Sequence, residues 1–287
     1  MRHVALFLAG VFLVSDAAAS DLRSPQHVSP QHVMSLNMCT DALLLELLPP
    51  SRIASVTYLS RRSNNSFYWP RASHLAINYG TAEEVLAEKP DLVLAGTSTT
   101  PATRALLRRL HIPMLEVPPA SNFNEIRAIT RSVARALGVS DKAEEILRKM
   151  DITLAELSET APRPPIRVAA WGEGGEVPGK DSLFDSVLAA AGGINVAASS
   201  GSHDGSFDME QLLMARPQVL AYGRTEADAP ALHTSDSDNP LVVRLYPHQR
   251  ITYPETLYSC GTAGLGEAAK SLRASLAAAV AVPAGKS

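Results

Sequence analysis

Thr81-Ala82-Glu83-Glu84-Val85-Leu86-Ala87-Glu88-Lys89-Pro90-Asp91-Leu92-Val93-Leu94 has a counterpart in the second half of the chain, Asp208-Met209-Glu210-Gln211-Leu212-Leu213-Met214-Ala215-Arg216-Pro217-Gln218-Val219-Leu220-Ala221. Aligned on Pro90 and Pro217, the two read alike. Thr81 and Asp208 are helix caps, and an apolar pair follows in each (Val85-Leu86, Leu212-Leu213). Glu84 and Gln211 stand three residues after the caps, where each closes a capping box on the cap's own N–H. Glu83 and Glu210 are thereby left spare at the second helical position. Proline disfavours helix at the residue before it and cannot extend one, so a buried strand begins just beyond. Two units of one design predict two lobes of one design.

Outward from these units, strand and helix patterns alternate. His32–Leu36 reads as a strand, Ala42–Leu48 as an apolar helix stopped by Pro49-Pro50, and Ile53–Tyr58 as a second strand. Residues 59–80 read as a long irregular loop carrying Arg61, Arg62, Phe67, Tyr68, Trp69, His74 and Tyr79; loops of that length inside domains usually serve function. A strand at Leu92–Ala95, a helix at Ala102–Leu110 and a strand at Met114–Val117 follow. From 122 to about 158 the period is helical, broken only at Gly138-Val139-Ser140. Ala143, Ile146, Leu147, Met150, Leu154 and Leu157 share one face. After Pro162-Arg163-Pro164-Pro165 the alternation restarts with strand Ile166–Ala170, a glycine-rich turn from Trp171 to Gly175, helix Leu183–Ala191 and strand Val219–Tyr222. A short helix from Pro240, a strand at Ile251–Tyr253 and a helix over Leu265–Val280 complete it.

This is an α/β pattern with mostly parallel sheets. The expected organisation is a signal peptide (1–19), a flexible leader (20–31), an N-terminal lobe (32–137), a linking helix (138–162) and a C-terminal lobe (163–287). The linking helix is too long for an ordinary connection and reads as a stiff rod between the lobes.

Met1-Arg2-His3, the apolar run Val4–Val14 and the exit Ala17-Ala18-Ala19 have the charged start, short apolar core and small-residue exit of a secretory signal. The run is half the length a membrane span needs. The expected location is therefore the periplasm. A formal net charge of -3 with no basic run argues against a nucleic-acid partner. Two cysteines, Cys39 and Cys260, lie at opposite ends of the chain. An oxidising compartment inclines them to pair, although sequence does not show that they meet.

Aromatic residues make up 5 % of the chain, yet Tyr58, Phe67, Tyr68, Trp69 and Tyr79 crowd into or beside one loop. In open α/β sheets ligands lie beyond the carboxyl ends of the strands, and Tyr58, Ser98, Trp171 and Tyr222 fall at such ends. Any one of them reads equally well as core packing, but together they favour a cleft lining for a large amphipathic ligand. Arg61, Arg62 and Arg71 stand near that loop as candidate contacts for an anionic ligand. His74 and His203 lie in polar loops, without the close His/Asp/Glu spacing of a metal site. Ser182 and Ser206 lack a nucleophile-elbow context, so no enzyme is expected.

His32-Val33-Met34-Ser35-Leu36-Asn37, Glu88–Ala95, Leu110-His111-Ile112-Pro113-Met114 and the echo at Glu210–Leu220 resemble the substrate-binding proteins of cobalamin and ferric-siderophore ABC importers. The resemblance implies two lobes joined by a single rigid helix, small closure motions and a ligand held in the cleft. It implies a monomer with no resident cofactor, whose partners are the permease subunits of an importer and a small-molecule metal chelate. It also implies that one glutamate per lobe, at positions matching Glu83 and Glu210, docks on permease arginines. Asn37-Met38-Cys39-Thr40 replaces the family's Ala-Pro-Ser-like turn at the cleft and leaves the ligand's identity open. The expected lining is Asn37, Cys39, Tyr58, Trp69, Tyr79, Ser98, Trp171 and Tyr222. The expected ligand is a corrinoid or ferric siderophore, with haem or a bare metal ion as the alternative; a secreted hydrolase is the alternative from another class.

Overall fold

The computed structural model describes residues 29–171, 178–197, 209–224 and 239–281. The signal peptide, most of the leader, the turn at 172–175, His203 and the cap Asp208 lie outside them. The first lobe runs β1 (Val33–Ser35), α1 (Met38–Leu47), β2 (Ile53–Thr57), α2 (Trp69–Ala72), β3 (Ile77–Asn78), α3 (Ala82–Glu88), β4 (Leu92–Gly96), α4 (Pro101–Arg109), β5 (Met114–Val117) and α5 (Phe123–Leu137). Next comes α6 (Ser140–Glu159). The second lobe follows with β6 (Ile166–Trp171), α7 (Leu183–Ala190), β7 (Gly193–Asn195), α8 (Met209–Ala215), β8 (Val219–Arg224), α9 (Pro240–Leu245), β9 (Arg250–Pro254), α10 (Glu255–Tyr258) and α11 (Leu265–Ala281).

Each lobe is an α/β layer around its own parallel sheet, in the order β3-β2-β1-β4-β5 and β7-β6-β8-β9. Parallel strands need crossovers, and these place helices over the sheet faces. The strands accordingly read as apolar runs: Val33, Val93, Leu94, Val168, Val219 and Leu220 are fully buried. The register aligns the repeated units with the sheet centres, Val33 opposite Leu92 and Val168 opposite Val219.

In the first unit the capping box closes as read: Thr81 Oγ1 accepts from Glu84 N–H, and the Glu84 carboxylate accepts from Thr81 N–H. Lys89 and Arg216, each just before its proline, adopt left-handed backbone at φ 51° and 44°. That left-handed conformation ends each helix.

Helix α6 starts among the core residues of the first lobe, with Ala143, and continues into the core of the second, with Leu147, Met150 and Leu157. Helix α11 crosses it closely at Gly266, where an added Cβ would sit 3.1 Å from Met150 Cγ. The preceding α5 also reaches both cores, Ile126 packing in the second and Leu137 in the first.

Two stretches differ from the sequence reading. The expected irregular loop at 59–80 contains a 3-10 turn (Tyr58–Arg61), α2 and the edge strand β3. A strand of two residues is too short to show a period. Strand β7 begins at Gly193, which reads as a helix stop in sequence. An added Cβ there would meet Leu188 Cδ1 at 2.4 Å, so the glycine lets the strand pack against α7.

The lobes are fastened twice along α1. Cys39 is bonded to Cys260, with Cα atoms 5.0 Å apart. Two turns further on, Glu46 accepts from Tyr68 O–H at 2.7 Å and from the N–H groups of Ala263 and Gly264 at 3.3 and 3.2 Å, at the start of α11. A carboxylate there is favoured by the helix dipole. Tyr68 also meets Thr262 Oγ1 at 2.6 Å. Burial and the Glu46 charge hold the Tyr68 hydroxyl well above its usual range, so it remains a neutral donor.

The disulfide closes a sequence separation of 221 residues, and removing such a bond costs about 2–5 kcal/mol. The Cys39→Ser/Cys260→Ser variant is expected to melt several degrees below the parent, and reductant should bring the parent to the same temperature. An unchanged melt under reductant would show that the bond does not stabilise the folded state.

Candidate functional site

The carboxyl ends of the first sheet form a rim. In strand order it carries Tyr79 after β3, Tyr58 after β2, Asn37 after β1, Ser98 after β4 and Pro118-Pro119 after β5. Asn37 caps α1, its Oδ1 accepting from Cys39 N–H at 2.9 Å. Its side chain lies over Gly96, where a Cβ would come within 2.6 Å of Asn37 Cγ. Only glycine permits that approach.

Between the lobes, on the β4–β5 side of the rim, a cavity of about 90 Å³ is lined by Asn37, Cys39, Ser98, Pro118, Ser259 and Gly261 among others. Small-molecule sites usually enclose about 300–1,000 Å³. A corrinoid or haem does not fit inside it. The other side of the rim is open. There Tyr58 and Tyr79 stack with ring centroids 5.0 Å apart and an interplanar angle of 26°. The Arg62 guanidinium sits 5.1 Å from the Tyr58 centroid, within cation–π range. Tyr79 is 66 % exposed, although a tyrosine of its size would gain by burial. The disulfide borders the small cavity, next to β1, the central strand.

A buried polar layer lies below the tyrosines. Ser35, Thr40, Asp41, Ser55, Thr57, Ser60 and Asn78 are all buried. Asp41 Oδ2 accepts from Thr57 N–H, Thr57 Oγ1 and Ser60 Oγ at 3.0, 2.5 and 2.6 Å. Burial pushes the Asp41 carboxyl up to about 6, against the smaller downward pull of its hydroxyl and amide donors. Its Oδ1 is buried and makes none of these bonds; the nearby Ser35 hydroxyl, which also lowers the carboxyl's pKa, is directed to Thr40 Oγ1 at 2.7 Å and to Asn37 O at 3.2 Å. Asn78 donates to Ser35 O and Ser55 Oγ, both at 2.9 Å, and accepts from Gly80 N–H at 3.1 Å. Glu84 accepts from Tyr79 N–H at 3.0 Å with the carboxylate that closes the capping box.

The remaining expected site residues are scattered. Trp69 opens α2, half-buried and away from the small cavity. Trp171 ends β6 opposite Tyr222, and its side chain lies outside the described residues. Tyr222 packs against the satellite core of Val196, Leu212 and Val242, between the second sheet and its helices. Its position at a strand end suggested the cleft, but alternation along the strand turns its ring to the helix side. Cys39 is taken up in the disulfide. Glu83 and Glu210 are exposed at matching positions of α3 and α8, neither with a hydrogen-bond or ion-pair partner among the described residues. Leu86 and Leu213, three residues on from each, are exposed to 43 % and 42 %.

Sequence reasoning missed Asp41, Glu46 and Asn78. No motif marks them: each meets its partners across a stretch of sequence, Asp41 across 16 and 19 residues. Among the described residues no group of three or more His, Cys, Asp or Glu side chains is placed to hold a metal ion. No described helix is long and apolar enough to cross a membrane.

A family model described as periplasmic binding protein matches residues 35–238, most of the chain and parts of both lobes. The chain belongs to the periplasmic binding protein family. Its members are substrate-binding transport proteins, the receptor components of ABC importers. Over 82 residues the chain is 32 % identical to an uncharacterized ABC transporter substrate-binding lipoprotein, YvrC, of Bacillus subtilis (strain 168). That match takes in 28 % of this chain and 26 % of the relative, so it spans about a quarter of the relative's length.

Solved structures share the fold over most of the chain. The apo form of the periplasmic heme-binding protein RhuT from Roseiflexus sp. RS-1 has a TM-score of 0.69 at 22 % identity, over 87 % of this chain and 99 % of that one. The periplasmic heme-binding protein HutB of Vibrio cholerae has a TM-score of 0.71 at 17 %, over 85 % and 98 %. The periplasmic vitamin B12-binding protein BtuF of Vibrio cholerae has a TM-score of 0.65 at 18 %, over 88 % and 98 %.

The raised pKa of Asp41 fixes the sign of a pH effect. Its folded value of about 6 exceeds the ordinary 3.8, so the folded state holds the proton more tightly than the unfolded one. The stabilisation is full below about pH 4 and is lost as pH rises through 6; two units correspond to an upper figure of about 3 kcal/mol. Denaturant melts at pH 4.5 and pH 8 should show the parent gaining this contribution on acidification relative to Asp41→Asn. Parallel pH profiles for the two proteins would show that Asp41 titrates as an exposed carboxyl.

Proposed function

We propose that this receptor captures a planar metal macrocycle of the haem or corrinoid class outside the cytoplasm and delivers it to an ABC importer. One observation carries the reading: the exposed Tyr79 ring, stacked on Tyr58 beneath Arg62, at the open side of the rim. A stacked aromatic pair offers a flat apolar face, which suits a macrocycle edge or plane. Arg62 adds a cation for a peripheral carboxylate or phosphate. RhuT and HutB are named for heme binding and BtuF for vitamin B12 binding, and both ligand classes are large planar chelates.

A ferric siderophore is the second reading. It is favoured by Arg61, Arg62 and Arg71, all exposed in the segment between β2 and β3, since ferric chelates are commonly anionic. Titration with hemin, cyanocobalamin and ferric enterobactin, followed by absorption, separates the three. Tyr79→Ala should weaken the bound chelate about ten-fold, the loss of an aromatic contact and its buried area. Undiminished affinity in that variant would remove the tyrosine pair from the site.

Glu83 and Glu210 are the proposed permease contacts, exposed at matching positions of α3 and α8 and without a hydrogen-bond or ion-pair partner among the described residues. Charge pairs at an interface rim chiefly steer and orient association, and salt weakens them. Glu83→Gln/Glu210→Gln should leave chelate affinity unchanged and lower uptake through a reconstituted importer, more so than either single change. Normal uptake by the double variant at low salt would reduce both residues to helix-dipole carboxylates.

A further inference from the structure

We propose that Asp41 is a positioning residue for the tyrosine pair: from the first turn of α1 it grips the chain on both sides of Tyr58 and fixes the angle at which that ring meets Tyr79. The inference rests on the reading of the tyrosine pair as the ligand platform. The three donors that Asp41 accepts belong to Thr57, immediately before Tyr58, and to Ser60, two residues after it. No other side-chain bond described holds this turn. Tyr79 is anchored in the same manner from below, by Asn78 beside it and by Glu84 on its own N–H. Both rings of the pair therefore ride on backbone tied to buried polar side chains, while the rings themselves reach solvent.

This arrangement is an expensive way to build a sheet edge. A buried carboxylate with one oxygen unpartnered costs folding free energy, and an apolar residue of similar size would spare it. Stability does not account for Asp41. Charge-assisted bonds to both sides of one residue do account for it, because they define geometry more tightly than apolar packing does. Thr57 ends β2 in register with Asn78 of β3 while its N–H goes to Asp41, so holding Thr57 sets the start of the Tyr58 turn directly. Arg62, which closes the 3-10 turn, is set with it.

The test uses the mature full chain and three variants. Asp41→Asn keeps an acceptor oxygen toward Thr57 and Ser60; Asp41→Leu fills the space without one; Ser60→Ala removes one donor and leaves α1 untouched. Amide hydrogen exchange over residues 56–62 is measured without ligand, and hemin and cyanocobalamin affinities are measured by absorption titration. Asp41→Leu should speed exchange in this segment and weaken binding, each about ten-fold. Ser60→Ala should shift both in the same direction by about three-fold. Asp41→Asn should restore binding to near the parent's, which a mere volume-filling role would not predict.

If Asp41→Leu does not fold, Ser60→Ala reads the same contact. Unaltered exchange at 56–62 in Ser60→Ala, or equal losses of binding in the Asn and Leu variants, overturns the inference. If neither hemin nor cyanocobalamin binds the parent protein, the ligand reading fails, and the exchange data alone still decide whether Asp41 holds the turn.

Discussion

Helix α1 is the element on which the rest of the molecule hangs, because its fastenings leave in three directions. Its apolar residues are buried on all sides, Leu43, Leu44, Leu45 and Leu47 among them. A helix of that kind belongs in a core rather than at a domain boundary. It lies at the boundary all the same. Cys39, Leu43 and Glu46 follow one another at spacings of four and three, the spacing that places side chains in a row on one face. That row holds the start of α11 by a disulfide at one end and a three-donor carboxylate at the other. Asp41 leaves the helix on another side and holds the Tyr58 turn. Asn37 caps the helix and covers Gly96 at the end of β4.

The polar side chains of this region are paired unequally. Glu46 and Tyr68 satisfy one another and the N–H groups of Ala263 and Gly264 that open α11, so the interlobe contact is a complete network of the kind that fixes one arrangement. The layer under the tyrosines is incomplete at Asp41 Oδ1. A complete network suits a joint that should not slip. An incomplete one, next to the candidate rim, is the pattern found where stability has been yielded to function.

Much of the architecture was legible because it depends on long or repeated patterns. The paired helix–proline–strand units marked β4 and β8 as buried strands, and the face from Ala143 to Leu157 marked the helix α6. Short elements were not legible: β3 and β7 are two and three residues long, and their identity comes from pairing with β2 and β6. In the site, Tyr58 and Tyr79 were visible as strand-end aromatics in a chain poor in them. Tyr222 had the same local signature and packs in a core, since one strand end presents alternate residues to opposite faces. Asp41, Glu46 and Asn78 carried no motif; each owes its role to a partner distant in sequence, and Glu46 meets Gly264 across a separation of 218 residues.

The two fastenings also bear on how a large ligand reaches the cleft. Lobes joined by α6 alone would be free to part along the whole rim. Here a covalent bond stands beside β1, and Tyr68, from the segment between β2 and β3, ties α1 to the residues that open α11. One fastening borders the small cavity and the other lies on the β2–β3 side, so neither side is free of the opposite lobe. The face formed by Tyr79 and Tyr58 with Arg62 reaches solvent with both fastenings closed. A partner can therefore meet that face without the lobes parting.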